Sequence, residues 1–376
     1  MKYFAMMIFA AALVIGAASS GTAGEYHVGG TLLCYDCHTM HFSMQHGFDG
    51  GAVGTSQQAG GSWLSANGPN HFLLKDTANN LCLGCHNGQS FAPDVVGANG
   101  GLGTAVREAG ALNQIGGAGA GYEEYKGHTL GATSRPPGYN PTEAGFSDIF
   151  PVGSELECTN CHTQHGRATA YRNLGPRSSS SGTFEVTYNI DTTQDVTKDV
   201  WINMAKTWTS GVGAPGSTDY YDQSKIRFNR IETTLGNLSS SNKIGAFCSS
   251  CHADFHGGPT NTGIGGTGSP AEGFIRHPTS NVNIGALGGG HSSASRFPAN
   301  TTKVKVATND YTSYTNTTPI CLTCHKAHGN QNPFGLVFLN RTAASVTEQG
   351  GWATDQTENN ENGYRNLCGQ CHSQGN

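Results

Sequence analysis

The 12 cysteines of this chain fall into six Cys-x-x-Cys-His motifs, with none left over. They are Cys34-Tyr-Asp-Cys37-His38, Cys82-Leu-Gly-Cys85-His86, Cys158-Thr-Asn-Cys161-His162, Cys248-Ser-Ser-Cys251-His252, Cys321-Leu-Thr-Cys324-His325 and Cys368-Gly-Gln-Cys371-His372. This is the attachment signature of c-type haem. The two thiols add across the two vinyl groups of one porphyrin, and the adjacent imidazole meets the iron from one face. The Cys pair must span one porphyrin edge while the next residue points under the ring, which is why the spacing matters. Cys-x-x-Cys by itself also serves zinc sites and redox disulfides, but neither chemistry requires His directly after the second Cys. Six motifs that exhaust the cysteines therefore read as a hexahaem cytochrome c. All 12 thiols are expected as thioethers and none as a disulfide.

Six irons need six further axial ligands, and the side chains that compete for them are Met and His. Six of the 16 His are the proximal residues just named, leaving His27, His41, His46, His71, His128, His165, His256, His277, His291 and His328. After removal of a leader, only Met40, Met44 and Met204 remain, so Met serves at most half the sites. Low-spin bis-histidine iron at all six haems is the economical reading. Three motifs continue as His-x-x-His, adding His41, His165 and His328. A residue three positions after the proximal His lies on the same local turn and cannot reach the far face of its own porphyrin. Each trailing His therefore either ligates a different haem or serves as a surface or hydrogen-bonding residue; its recurrence in three motifs favours ligation, which demands that haems of different motifs pack within ligand reach. His128 and His277, each in the long gap after an even motif, are expected as distal ligands of haems two and four. His256 is expected at haem six, with His27 in reserve and His46, His71 and His291 as loop residues.

What must position these groups is unusual in composition. Hydrophobic residues make up 36% and charged residues 12%, while Gly numbers 54. The apolar share lies below that of an ordinary globular domain, and six flat porphyrins supply the missing apolar mass. Between motifs the chain is rich in Gly, Ser, Thr and Asn, which read as turns and loops. Short helices are expected around the motifs, at 32–44 and 366–372, and brief strands at 183–188 and 303–307. The expected fold class is a multihaem cytochrome c of low regular secondary structure, mostly loops with short helices and few short strands wrapped around a haem chain. No linker separates two cores, so residues 24–376 read as one hexahaem domain.

Residues 1–23 read as a signal peptide: Lys2, an apolar run over 4–16, then small residues to Ala23. The run is short for a bilayer span and no later stretch is apolar enough for one. The reading is an exported protein, at the outer surface or extracellular, with the periplasm as alternative and without membrane insertion. The formal charge of −5 and the absence of any long basic run exclude nucleic acid as a natural partner.

The motif order and His placement resemble the OmcS-type hexahaem cytochromes, which polymerise into extracellular filaments in metal-reducing bacteria. The resemblance rests on Gly29-Gly30 before Cys34, Cys-His-Thr-Met-His41, Lys126-Gly127-His128, His162-x-x-His165-Gly166 and Cys251-His-Ala-Asp-Phe-His256. It continues through Ile275-Arg276-His277-Pro278, His325-Lys-Ala-His328 and Arg365-Asn-Leu-Cys368. It implies a wire of stacked and T-shaped haem pairs joined across subunits. It further implies that His41 ligates haem five of a neighbouring subunit, His165 haem one and His328 haem three. The implied function is a non-enzymatic electron conduit, exchanging electrons with other redox cytochromes and with acceptors such as Fe(III) oxides. A multihaem reductase for nitrite, hydroxylamine or sulfur oxyanions is the first alternative, and a monomeric periplasmic shuttle the second. A reductase needs an iron with an open coordination position, whereas all six motifs end in His and spare imidazoles outnumber irons.

Overall fold

The computed structural model describes residues 27, 34–38, 73–87, 92, 95, 109–110, 112–114, 127–139, 154–205 (except 168 and 180), 225–232, 240–255, 279, 282–284, 304–329, 333–337 and 371. Regular structure within them is sparse and short. Helices cover Cys34–Cys37, Ala78–His86, Lys243–Ser249 and Cys321–Cys324, with 3-10 turns at Cys158–Asn160, Tyr171–Asn173, Ala253–Phe255 and Pro333–Gly335. Five of the six haem motifs therefore begin in or end a helical turn. The local reason is simple: a helical turn brings the i and i+3 thiols to one side, and the backbone then leaves the helix to turn out the His. His38, His162, His252 and His325 each close that turn by an N–H bond to the carbonyl of the motif's first Cys.

Among the described residues, seven short strands form three sheets. Strands β1 (Asn113–Gln114) and β2 (Thr129–Leu130) pair in parallel, and β3 (Arg177–Ser179) pairs with β4 (Gly182–Phe184) as a hairpin. Strand β5 (Tyr188–Asp191) runs parallel to β6 (Val200–Asn203), which pairs antiparallel with β7 (Ile226–Phe228). This three-stranded sheet carries the largest apolar cluster: Val186, Val200, Ile202, Ile226 and Phe228 are all at most 1% exposed. Full burial of one such side chain contributes about 1.5–3 kcal/mol. The cluster continues into Ile244 on one motif-bearing helix and Ile320 and Leu322 on another. The sheet is thus the floor on which motifs four and five stand.

A buried polar network locks the helix Lys243–Ser249 to that floor. Asn242 caps it by accepting from the Ile244 N–H at 2.8 Å, and donates to the carbonyls of Asp199 and Asn229. The wholly buried Asp199 accepts from both the N–H and the hydroxyl of Thr187, and its carboxylate faces Lys243 at 3.5 Å. An N-cap of this kind stabilises a helix by about 0.5–2 kcal/mol.

Three expectations from the sequence need correction. The segment 183–188 is not one strand: β4 ends at Phe184 and β5 starts at Tyr188, in different sheets. Of the segment 303–307, the described residues 304–307 form no strand; Ala307 bridges Phe228 and Thr318. The peptide also has an aliphatic core of its own, so porphyrins are not the sole apolar mass. The strands over 200–203 and 226–228 that build it are too short to show a clear alternation in sequence. The expected helix at 32–44 is described only as Cys34–Cys37, and 366–372 and the leader lie outside the described residues.

Candidate haem-iron centres

Four proximal histidines each face a second imidazole. His38 lies 6.1 Å from His165, His86 lies 6.0 Å from His27, His162 lies 6.1 Å from His328, and His252 lies 5.9 Å from His128, ring centroid to ring centroid. Two imidazoles on opposite faces of one iron, with metal–nitrogen bonds of about 2.0–2.1 Å, have centroids roughly 6 Å apart. The observed separations fit that span and leave room for one atom between the rings. Histidines also pair as ordinary aromatic contacts, at variable distances. Here four pairs share one spacing, and each joins a motif His to a His outside the Cys-x-x-Cys-His set.

The ring nitrogens are arranged to match. The Nδ1 atoms face backbone carbonyls: His27 that of Gln164 at 2.9 Å, His128 that of Ala327 at 2.5 Å and His162 that of Arg172 at 2.9 Å. His252 meets the Pro137 carbonyl at 2.7 Å and His325 that of Phe334 at 2.7 Å. A carbonyl only accepts, so Nδ1 carries the proton and Nε2 keeps its lone pair for a metal. Desolvation pushes the His162 imidazole below its usual range, His252 down to about 4 and His328 down to about 3. All three stand neutral, as ligation requires.

Two of those carbonyls come from strained turns. Arg172 (φ 52°) and Asn173 (φ 54°) sit in the left-handed region just before Leu174, which bridges back to His162. Phe334 (φ 59°) precedes Leu336, which bridges back to His325 in the same way. Leu73 (φ 58°) precedes Leu74, the bridge partner of His38. Each odd motif is thus covered by a returning left-handed turn ending in Leu. Non-glycine residues held there cost about 1–3 kcal/mol each and persist where the surroundings over-determine them. The sequence showed the odd-motif repeat through His-x-x-His; the covering turn returns after intervals too variable to align by eye.

Glycine places the distal residues. Gly110 and Gly127 both bridge Gly329, the His128 N–H donates to the His328 carbonyl at 2.8 Å, and the His328 N–H donates to Ala109 at 2.7 Å. A Cβ on Gly127 would stand 2.4 Å from the Gly329 Cα and 2.5 Å from the His328 oxygen. Three backbones therefore meet in contact and send His128 and His328 to different proximal partners.

The motifs themselves form a row. The Lys75 N–H donates to the Cys37 carbonyl beside motif two, and Asn79 on the helix Ala78–His86 accepts from the Cys158 N–H of motif three at 2.9 Å. The Cys82 and Cys158 sulfurs lie side by side, as do those of Cys248 and Cys321. Arg177 links motif three to motif four, bonding the Asn160 carbonyl and lying 4.1 Å over the Phe247 ring. Centres one to five follow one another in chain order. The described cysteines form no disulfide among themselves. Among the described residues no three His, Cys, Asp or Glu side chains converge as a cage for a metal ion, the closed arrangement a structural zinc site needs.

His165 faces His38 and His328 faces His162. His128 does not stand opposite His86: it faces His252, and His27, held in reserve by the sequence reading, faces His86. The reason is the glycine junction, which ties His128 to the motif-five segment across 199 residues of sequence. No local signal in the sequence shows that. Met204 packs against the aliphatic core. His41, His46, His71, His256, His277, His291, Cys368, His372, Met40 and Met44 lie outside the described residues. No described helix is long and apolar enough to cross a membrane.

No protein-family model matches the chain. It is similar to the C-type cytochrome OmcS of Geobacter sulfurreducens, at 24% identity over 98% of this chain and 98% of that protein. Among solved structures it matches the outer membrane cytochrome S filament from Geobacter sulfurreducens, at 19% identity and TM-score 0.38, over 83% of this chain and 85% of that one. A cryo-EM structure of the OmcS nanowires from the same organism matches at 17% identity and TM-score 0.40, with the same coverage.

Proposed function

We propose that this chain, an OmcS-type c-type cytochrome along its whole length, is an extracellular electron conduit of six covalent haems that polymerises head to tail. The observation that carries the reading is the set of four facing imidazole pairs at 5.9–6.1 Å, each beside its own Cys pair. The haems supply one-electron iron couples when bound. The chain's residues do the rest. Cys34, Cys37, Cys82, Cys85, Cys158, Cys161, Cys248, Cys251, Cys321, Cys324, Cys368 and Cys371 fix the porphyrins. His38, His86, His162, His252, His325 and His372 would ligate the irons, with His165, His27, His328 and His128 as the second ligands at centres one to four. His41, His256 and His277 are the candidates for the rest, His41 acting on centre five of a neighbouring molecule.

Imidazole on both faces leaves no open position for a substrate, which favours a conduit over a reductase. The packed row of motifs keeps neighbouring centres in contact, as relay between them requires. The whole of 24–376 acts as one hexahaem unit, exported behind the 1–23 leader, passing electrons between redox cytochromes and external acceptors such as Fe(III) oxides.

Intact mass and optical spectra of the purified protein test this. The denatured mass is expected to equal the mature chain plus six haems, with no disulfide, even though the Cys82 and Cys158 sulfurs lie in hydrogen-bond contact. The ferric spectrum is expected to lack the sulfur-to-iron charge-transfer band of His/Met ligation. A missing haem overturns the count, and a high-spin share of one centre or more in the polymer overturns the closed-coordination reading.

A further inference from the structure

Three features coincide at the centre of motif three, where His162 faces His328, although one of them, the Arg177 charge, also borders motif four. We infer that this centre has the highest reduction potential of the four described pairs and, alone among those four, a strongly anisotropic low-spin ferric signal. The inference rests on the haem reading above.

The first feature is ring orientation. The His162 and His328 planes cross at 73°, whereas those of His38 and His165 lie at 16°, His128 and His252 at 38°, and His27 and His86 at 46°. Nearly parallel axial imidazoles direct their π donation onto one iron d orbital and split the pair. Crossed rings donate equally to both, leave the pair nearly degenerate and make the ferric g tensor highly anisotropic. They also give up part of the stabilisation of the d⁵ ion, which raises the potential.

The second feature is hydrogen bonding behind the ligand. His27, His128, His162 and His252 all face a carbonyl through Nδ1, which makes the imidazole more basic and favours Fe(III). The Nδ1 of His328 is buried and has no partner among the described residues. Its ligand is the less basic one, and the ferric state gains less from it.

The third feature is charge. Arg177 is 6% exposed, its Nε has no acceptor, and no acidic side chain pairs with it among the described residues. Its guanidinium bonds the Asn160 carbonyl inside motif three and lies against the Cys161 sulfur and the Phe247 ring. Ferric iron in a dianionic porphyrin carries one positive charge, and the ferrous form is neutral. A buried cation alongside opposes the charged form, in surroundings of low dielectric where the interaction is strong. Each feature alone shifts the couple upward, and only at this centre do all three meet.

Potentiometric electron paramagnetic resonance of the full chain decides the matter, with dithionite as the reductant. Each Fe(III) takes one electron and becomes Fe(II), and no bond to iron forms or breaks. A low-field, strongly anisotropic signal is expected in the ferric protein, and it should vanish before the rhombic low-spin signals as the potential falls. His328→Ala assigns it, because loss of one ring removes that signal and no other anisotropic one. In Arg177→Gln its midpoint should drop by at least a tenfold change in the ferric-to-ferrous ratio, about 59 mV for one electron. Arg177→Lys should retain the wild-type value. If the assigned signal disappears with or after the rhombic ones, or Arg177→Gln leaves its midpoint in place, the inference is overturned. Should Arg177→Gln fail to accumulate, the order of disappearance in the wild type still decides. An intact mass short of haem marks failure of the haem reading instead.

Discussion

Replacing His41 by alanine is expected to leave six haems covalently attached while abolishing or shortening filaments. The argument is one of register. The trailing His of motif three faces the proximal His of motif one, and the trailing His of motif five faces that of motif three. Each reaches back by two centres along the row. Motif one has no centre two places before it in its own chain. The proposed acceptor is therefore in another molecule, and the resemblance to the OmcS-type cytochromes implies that it is centre five. A donor at one end and its acceptor at the other make a heterologous interface, which propagates into an open filament or closes as a ring. A coordinate bond at the proposed joint would make one imidazole outweigh a large share of the buried area. Electron micrographs of the secreted fraction should show few or short filaments for His41→Ala, and its ferric spectrum should gain a high-spin component from about one haem in six. Normal filaments with six low-spin haems would exclude the joint.

Gly127→Ala is expected to disturb two centres at once, without touching a ligand or a cysteine. Its new methyl group would fall within 2.4 Å of Gly329 and 2.5 Å of the His328 carbonyl, all backbone, so one segment must withdraw. Overpacking of this kind costs about 1–3 kcal/mol, occasionally more. The withdrawal moves His128 from His252 and His328 from His162 together, since both ride on the same junction. Six haems by mass, a high-spin share from two of them and a lowered melting temperature are the expected result. Gly175→Ala is the control: its Cβ meets nothing nearer than 3.6 Å, and its spectrum should match the wild type. A fully low-spin Gly127→Ala protein would show that the junction does not position these rings.

Covalent chemistry was open to reading from the chain alone because thioether attachment is local. Cys158, Cys161 and His162 must be neighbours in sequence to serve one porphyrin, so the motif carries its own evidence. The trailing histidines were half legible. Helical-turn geometry excludes His165 from its own haem, and it stands beside His38. His128 shows the limit: its place after an even motif suggested haem two, and it faces His252 instead. Similarly, the aliphatic sheet of Val200, Ile202, Ile226 and Phe228 is assembled from strands of three and four residues. Segments so short carry too few positions to establish a period of two.

What the sequence presents by itself is six Cys-x-x-Cys-His motifs, the His beside each Cys pair and a surplus of His over motifs, since each is a property of composition or of adjacent residues. Tertiary structure alone decided which second imidazole faces which motif His, and how the rings cross. Those depend on where three glycine-lined backbones touch, and on left-handed turns at Arg172 and Phe334 that aim carbonyls at His162 and His325. A ligand's partner is fixed by contacts among segments remote in the chain, and such contacts leave no periodic trace in the residues that make them.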